Sequence, residues 1–109
     1  MPKIALSAIV PKTLVDGYLA RFIHTENMTF SFVEVVAGKK LPLHSHMNEQ
    51  VSIMLEGEFE LTLDGEPIRF GPGEVIVIPA NAPHSGLAVT DCKLLDVFYP
   101  VREDYRSMS

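Results

Sequence analysis

The sequence contains one cysteine, Cys92, which excludes an internal disulfide. Its expected place is that of a small buried hydrophobe at the start of a strand. Long apolar runs are missing as well. No segment is long enough to span a bilayer, and Met1 to Ser7 lack the apolar stretch of a signal peptide. A soluble cytoplasmic protein is the expectation. Cations are in deficit: nine Lys and Arg face 14 Asp and Glu, for a net charge of −5. That balance argues against nucleic acid or an anionic membrane as partner. An anionic small ligand stays open, because one bound cation overrides the global field locally. No stretch sustains a helical period, and neither an internal repeat nor a low-complexity segment is evident.

What is present is a series of short β-type segments separated by turn residues. The 109 residues are expected to form one domain, 1–109, with an N-terminal arm or edge strand over 1–13 and a polar tail over 100–109. Strands are expected at 18–24, 29–36, 50–55, 58–63, 66–70, 75–78, 85–89 and 93–99. Residues 58–63 alternate charged and apolar side chains, the pattern of a strand with one wet face. Asp64-Gly65 marks a two-residue hairpin, since a type I′ turn needs positive φ at both central positions. Val75-Ile76-Val77-Ile78 is continuously β-branched, which predicts burial on both faces. Recurring strands with Gly, Pro and Asn turns are the signature of an antiparallel sandwich or barrel. A content of 47% hydrophobic residues is high for so small a domain. It predicts that a partner subunit covers one sheet face, as in a homodimer, with the N-terminal arm packing across.

Two segments concentrate the chemistry. His44 and His46 stand at i and i+2, so on an extended strand both imidazoles point to one face. Gln50 lies an even number of positions from both, which aims it the same way if the strand keeps its phase, and aims Glu49 outward. His84, leaving a turn bounded by Pro79 and Pro83, is placed to add a fourth ligand from a neighbouring strand. A single exposed His is usually only solvated; this pair, followed by a carboxamide and answered by a second cluster, points to a metal site. His24 stands apart, with a surface or strand-edge role. Asp96 interrupts the apolar run Leu94-Leu95-Asp96-Val97-Phe98. A carboxylate in a buried strand is costly unless it is paired or bound. Cys92, Leu94, Asp96 and Phe98 share one face of that strand.

These residues resemble the cupin superfamily. Its first motif falls on Gly38, His44, His46, Gln50 and Gly57, its second on Gly73, Pro79, Asn81 and His84, and the resemblance covers about residues 30 to 100. It implies a double-stranded β-helix, the jelly-roll barrel. Asn81 replaces a usual Gly, and Asn visits the left-handed region more readily than most residues. Gln50 stands where the family often has Glu. The run from Leu95 to Tyr105, together with the His-x-His-x3-Gln pattern, is similar to the small pectin-degradation cupins of KdgF type. That resemblance implies linearisation of 4,5-unsaturated uronate monosaccharides to the open 5-keto form. It also implies that Asp96, Phe98 and Arg102 line the substrate pocket.

Three His and one Gln supply no negative ligand, so a bound dication keeps its full formal charge as a Lewis acid. Four protein ligands on an octahedral ion leave two positions open, and Fe, Mn, Co or Ni suits such a donor set, with Zn an option. In the enzyme reading Asp96 shuttles a proton as general acid and base, Arg102 binds the substrate carboxylate and Phe98 walls the pocket. The alternatives are a sugar-acid-binding cupin without turnover and an oxidative cupin dioxygenase.

Overall fold

The computed structural model describes residues 3–108. After a one-turn 3-10 helix at Leu6–Ala8 the chain runs through ten strands. They are β1 (Lys12–Val15), β2 (Tyr18–His24), β3 (Thr29–Val35), β4 (Lys40–His44), β5 (Glu49–Glu56), β6 (Phe59–Leu63), β7 (Glu66–Phe70), β8 (Val75–Ile78), β9 (His84–Ala88) and β10 (Cys92–Tyr99). A single-turn helix, α1 (Glu103–Arg106), ends the ordered elements. All strand pairs are antiparallel, in a six-stranded sheet of order β1-β2-β3-β10-β5-β8 and a four-stranded sheet of order β4-β9-β6-β7. The two sheets enclose one core that includes Tyr18, Phe22, Val33, Met54, Phe59, Phe70, Ile78 and Leu94. This is the expected all-β jelly-roll barrel.

Local chemistry places the turns. Asp64 (φ 49°) and Gly65 (φ 82°) both take positive φ, as a type I′ hairpin requires. Asn81 also sits in the left-handed region at φ 65°. Gly57 takes φ 90°, and a Cβ there would lie 2.1 Å from the Asp91 carbonyl oxygen, so only glycine fits between β5 and β6. Pro42 lies inside β4, an edge strand, where the register with β9 is irregular between Leu41 and His44. An edge bulge is where a strand tolerates a residue without an N–H.

Register sorts the six-stranded sheet into rows. Inward rows run Ala20–Val33–Leu94–Met54, then Phe22–Ser31–Asp96–Ser52–Ile76, then His24–Thr29–Phe98–Gln50–Ile78. Two of the outward rows run Arg21–Phe32–Leu95–Ile53–Val75 and Ile23–Phe30–Val97–Val51–Val77, with Arg21 the one polar member of these two, while the neighbouring outward row Leu19–Glu34–Lys93–Glu56 is mostly charged.

Two expectations are corrected. β8 is not buried on both faces: it is the edge of its sheet, Ile76 and Ile78 point inward, and Val75 and Val77 are 52% and 56% exposed. A β-branched run records only that both faces are apolar; here no layer formed by the described residues covers the outer one. Nor do His44 and His46 share a strand. His44 ends β4, and His46 lies in the bend that leads to β5. Cys92 opens β10 and is buried, as expected. Among the described residues no helix is long and apolar enough to cross a membrane.

Candidate metal centre and acid–base site

Four chain segments meet at one end of the barrel. β4 and β9 pair so that His44 lies directly opposite His84. The backbone N–H of Asn81 donates to the carbonyl of His46 at 2.7 Å, which ties the turn before β9 to the bend after β4. The rings therefore converge although they come from different elements. Centroid separations are 4.1 Å for His44 and His84, 5.0 Å for His46 and His84, and 5.8 Å for His44 and His46. One nitrogen of each ring lies within 4.8 Å of the others.

Each imidazole is anchored by Nδ1 on a backbone carbonyl. His44 bonds Pro42 at 2.7 Å, His46 bonds Asn48 at 2.9 Å and His84 bonds Ala82 at 2.8 Å. A carbonyl only accepts, so Nδ1 carries the proton, and in the neutral ring Nε2 presents a lone pair. Outer bonds of this kind fix the tautomer and orientation of metal-ligating histidines. Burial holds His84, 1% exposed, down to about 4 and lowers His46 as well, with the Arg102 charge as a second cause for His46. Both rings are thus neutral near pH 7.

Gln50 is buried and faces inward, whereas Glu49 is exposed on the other side of β5. Gln50 Oε1 stands 3.0 Å from His46 Nε2. With the His46 proton on Nδ1, both atoms are acceptors. Two lone pairs at that distance repel unless a cation lies between them. Ligands at right angles on a metal about 2.1 Å away would be separated by about 3 Å. The donor set thus fits a divalent cation held by His44, His46, His84 and Gln50.

A hydrogen-bond chain leads from this cluster into the barrel. Gln50 Nε2 donates to Ser52 Oγ at 2.9 Å, and Ser52 donates to Asp96 Oδ1 at 2.6 Å. Gln50 and Ser52 are neighbours on the inner face of β5, and Ser52 and Asp96 are directly opposed in the β5–β10 register. Burial pushes the Asp96 carboxyl up to about 6, against the opposing pull of Ser52, Gln50 and Arg102. An acid in that range both gives and takes a proton near neutrality.

Phe98, two residues on, meets the His46 ring edge-on at 5.5 Å between centroids. Arg102 lies in the segment after β10 but is not a surface side chain: it is 8% exposed. Its guanidinium stacks 3.7 Å from the Tyr105 ring centroid and 5.0 Å from that of Phe98. Nε and Nη2 donate to the two Asp104 oxygens at 3.1 and 2.6 Å. The backbone N–H of Arg102 donates to Thr29 Oγ1 at 2.9 Å, and Asn48 Nδ2 donates to the Pro100 carbonyl at 2.6 Å. The C-terminal segment is thereby sewn onto both β3 and the histidine bend. Tyr105 stacks on Phe22, 4.8 Å between centroids. A cavity of about 60 Å³ is lined in part by His44, His84, Gln50, Ser52, Asp96 and Arg102. That volume takes a few waters at roughly 10–15 Å³ each.

The structure thus gathers His44, His46, His84 and Gln50 in one cluster and brings Asp96, Phe98 and Arg102 to its inner side. His24 lies apart, its ring on Thr29 Oγ1 at 2.9 Å. Sequence reasoning missed Ser52, Ser31 and Tyr105. Ser52 had a signal: a serine two residues from Gln50 on the same strand face, inside an apolar run. Ser31 lies opposite Asp96 in the β3 register, buried, with its hydroxyl unpaired among the described residues. Tyr105 left no trace, because an aromatic in a polar tail does not reveal what it stacks on.

The cupin-domain family model matches residues 31–98. Among solved structures, KdgF from Halomonas sp. is similar at 27% identity and a TM-score of 0.82, over 88% of this chain and 90% of that one. An RmlC-like cupin from Shewanella frigidimarina shares the fold at a TM-score of 0.90 and 23% identity, over 96% of both chains. Quercetin 2,3-dioxygenase of Bacillus subtilis is 45% identical over 91 residues, 78% of this chain. The lyase DddQ of Ruegeria pomeroyi, which acts on dimethylsulfoniopropionate, is 32% identical over 62 residues, 56% of this chain. The chain spans only 27% and 31% of the lengths of these last two proteins.

Proposed function

The chain belongs to the cupin family, and from that premise we propose that it is a metal-dependent enzyme that linearises 4,5-unsaturated uronate monosaccharides to 5-keto-4-deoxyuronates. The observation that carries this reading is the Asp96 carboxyl, pushed up to about 6 and bonded through Ser52 to Gln50 beside the histidine cluster. The likeness to KdgF along nearly the whole of both chains supports it.

The reaction is an isomerisation and needs no co-reactant. Asp96, as carboxylate, takes the proton from the C1 hydroxyl of the hemiacetal. The C1–O5 bond breaks, leaving an aldehyde at C1 and an enolate at C5. The protonated Asp96 then delivers its proton to C4, and the enolate becomes the 5-ketone. A bound dication supplies Lewis-acid stabilisation of the negative oxygen that develops. Ser52 holds the Asp96 carboxyl in place. Arg102, clamped by Asp104 and stacked on Tyr105, presents positive charge at the cavity for the substrate carboxylate, and since about 60 Å³ holds only a few waters the lining side chains must move apart to admit the sugar. Phe98 excludes water from the His46 side. The test is the loss of ultraviolet absorbance of an unsaturated galacturonate or guluronate with metal-loaded protein. A rate no greater than the spontaneous one would end this reading.

The identity to a quercetin dioxygenase favours one other reading, oxidative chemistry at the same cluster. Oxygen uptake separates the two, because linearisation consumes none. Ligand-dependent thermal stabilisation with neither turnover nor oxygen uptake would instead mark a sugar-acid-binding module.

The reading includes a homodimer formed through the outward rows of the six-stranded sheet. Five strands at about 4.8 Å spacing over about 14 Å of strand give roughly 330 Å². A standard interface needs about 800 Å² per partner. The remainder would come from the N-terminal segment, where Ile4, Leu6 and Val10 are exposed. Light scattering should give twice the chain mass for the native protein and the chain mass for Leu95→Arg. A native monomer at tens of micromolar would refute the dimer.

A further inference from the structure

We propose that Ser52 is a positioning residue that decides which end of the Gln50 carboxamide faces the histidines. This inference rests on the metal reading of that cluster. A Gln side chain turned by 180° about its last bond exchanges oxygen and nitrogen at almost no steric cost, so the orientation is set by its neighbours. One neighbour, His46 Nε2 at 3.0 Å, is a lone pair because Nδ1 bonds the Asn48 carbonyl. In the absence of a cation this neighbour prefers the amide nitrogen. By itself it would turn Gln50 the wrong way for ligation.

The opposing preference comes from Ser52. Its hydroxyl has one proton, and that proton lies on Asp96 Oδ1 at 2.6 Å. A hydroxyl whose proton is committed can only accept from its other side. Gln50 Nε2 meets this need at 2.9 Å, and Oε1 is left pointing at the histidines. Turning the amide would place Oε1 against the Ser52 lone pairs, or draw the Ser52 proton away from Asp96. A charge-assisted bond to a carboxylate is about twice as strong as a neutral one, so Asp96 holds the Ser52 proton. Ser52 is 3% exposed, so water does not offer the amide an alternative partner. The order of donation therefore runs from Gln50 to Ser52 to Asp96, and its consequence is a ligand oxygen set in place before any cation arrives.

Removing the Ser52 hydroxyl leaves the Asp96 carboxylate, which Gln50 also meets, as the one acceptor for the amide on the inner side, and lets the carboxamide turn to donate to His46 Nε2. The turned state ties up two ligand atoms at once, the Gln50 oxygen and the His46 lone pair. Loss of an outer partner of a metal ligand costs roughly 10–100-fold in affinity. Titration of the metal-free 109-residue chain with Co²⁺ should place Ser52→Ala in that range below wild type. Ser52→Thr, which keeps the hydroxyl, should stay within about threefold of wild type. Nitrogen NMR of the metal-free proteins gives a readout that needs no metal. A coupling across a hydrogen bond between Gln50 Nε2 and His46 Nε2 should appear in Ser52→Ala and be absent from wild type. Equal Co²⁺ affinity in wild type and Ser52→Ala, or that coupling in wild type, would overturn the role of Ser52. A wild-type protein that binds no Co²⁺ would overturn the metal reading instead, and the NMR comparison would still decide the orientation.

Discussion

The two ends of the barrel interior are built from the same strands and differ within one step of register. At one end Ala20, Val33, Leu94 and Met54 form an apolar row, closed by Tyr18, Val35 and Cys92. Two residues further along each strand the row reads Phe22, Ser31, Asp96, Ser52 and Ile76, and beyond it come Thr29, Phe98 and Gln50. The apolar end gains from burial and needs no partners. The polar end is held by a chain of directed hydrogen bonds, because each buried polar atom left unpaired costs about 1–3 kcal/mol. The period of two on a strand makes both possible in one sheet: the fold fixes which positions face inward, and the residue at each such position is then free to serve packing or chemistry.

Substitutions separate the two ends. The largest effect is expected from Asp96→Asn, which should lower uronate turnover by about 10²–10⁴-fold while metal content at saturating metal stays unchanged, because an Asn Oδ1 still accepts the Ser52 proton. Unchanged turnover would place Asp96 outside the chemistry. Next comes His84→Ala. It removes one of the proposed ligands and should reduce metal retention through gel filtration by more than the roughly 10–100-fold assigned to an outer partner. Met54→Ala, at the apolar end, should lower unfolding free energy in urea by about 2–5 kcal/mol. Metal stoichiometry of its folded fraction should match wild type; a loss of metal at 1:1 loading would mean that the two ends are coupled rather than separable.

The smallest effect is a difference in pH dependence. His84 titrates near 4 in the fold against 6.5 when unfolded, so its contribution is present above pH 6.5 and is lost as the pH falls through about 4. Asp96 is shifted the other way, to about 6 from 3.8. Its contribution is present below pH 3.8 and is lost as the pH rises through about 6. In the metal-free protein these two oppose one another across the shared window. Asp96→Asn removes one of them, so between pH 6.5 and 4 that variant should lose stability more steeply than wild type. Parallel urea-denaturation curves for the two proteins would show that burial does not shift Asp96.

Much of this was legible in the residues. Strand limits at 18–24, 66–70 and 75–78 match the observed ones, because Gly, Pro and Asx turns bound each run. The hairpin at Asp64-Gly65 and the left-handed Asn81 follow from backbone sterics, which are local. The inward facing of Gln50 and the outward facing of Glu49 follow from alternation on one strand. The outer exposure of Val75 and Val77 was not legible, since a residue type does not carry its strand's place in the sheet. The route by which His46 reaches His44 was also hidden. A bend after β4 brings it there, and bends are fixed by tertiary bonds such as Asn81 N–H to the His46 carbonyl.

The sequence by itself determined the strand periodicity, the turn positions, the candidate donor residues and the face on which Gln50 and Asp96 stand. These depend on side-chain alternation and on φ preferences that act within a few residues. Only the tertiary structure decided that His84 lies opposite His44, that Ser52 links Gln50 to Asp96, and that Arg102 is buried against Tyr105 rather than solvated. His84 with His44 and Ser52 with Asp96 join residues dozens of positions apart, and Arg102 packs on Tyr105 where contacts with the distant Thr29 and Phe22 hold the tail. Such pairings are set by the register between strands and by the closing of two sheets around one core, for which no short stretch of chain holds the information.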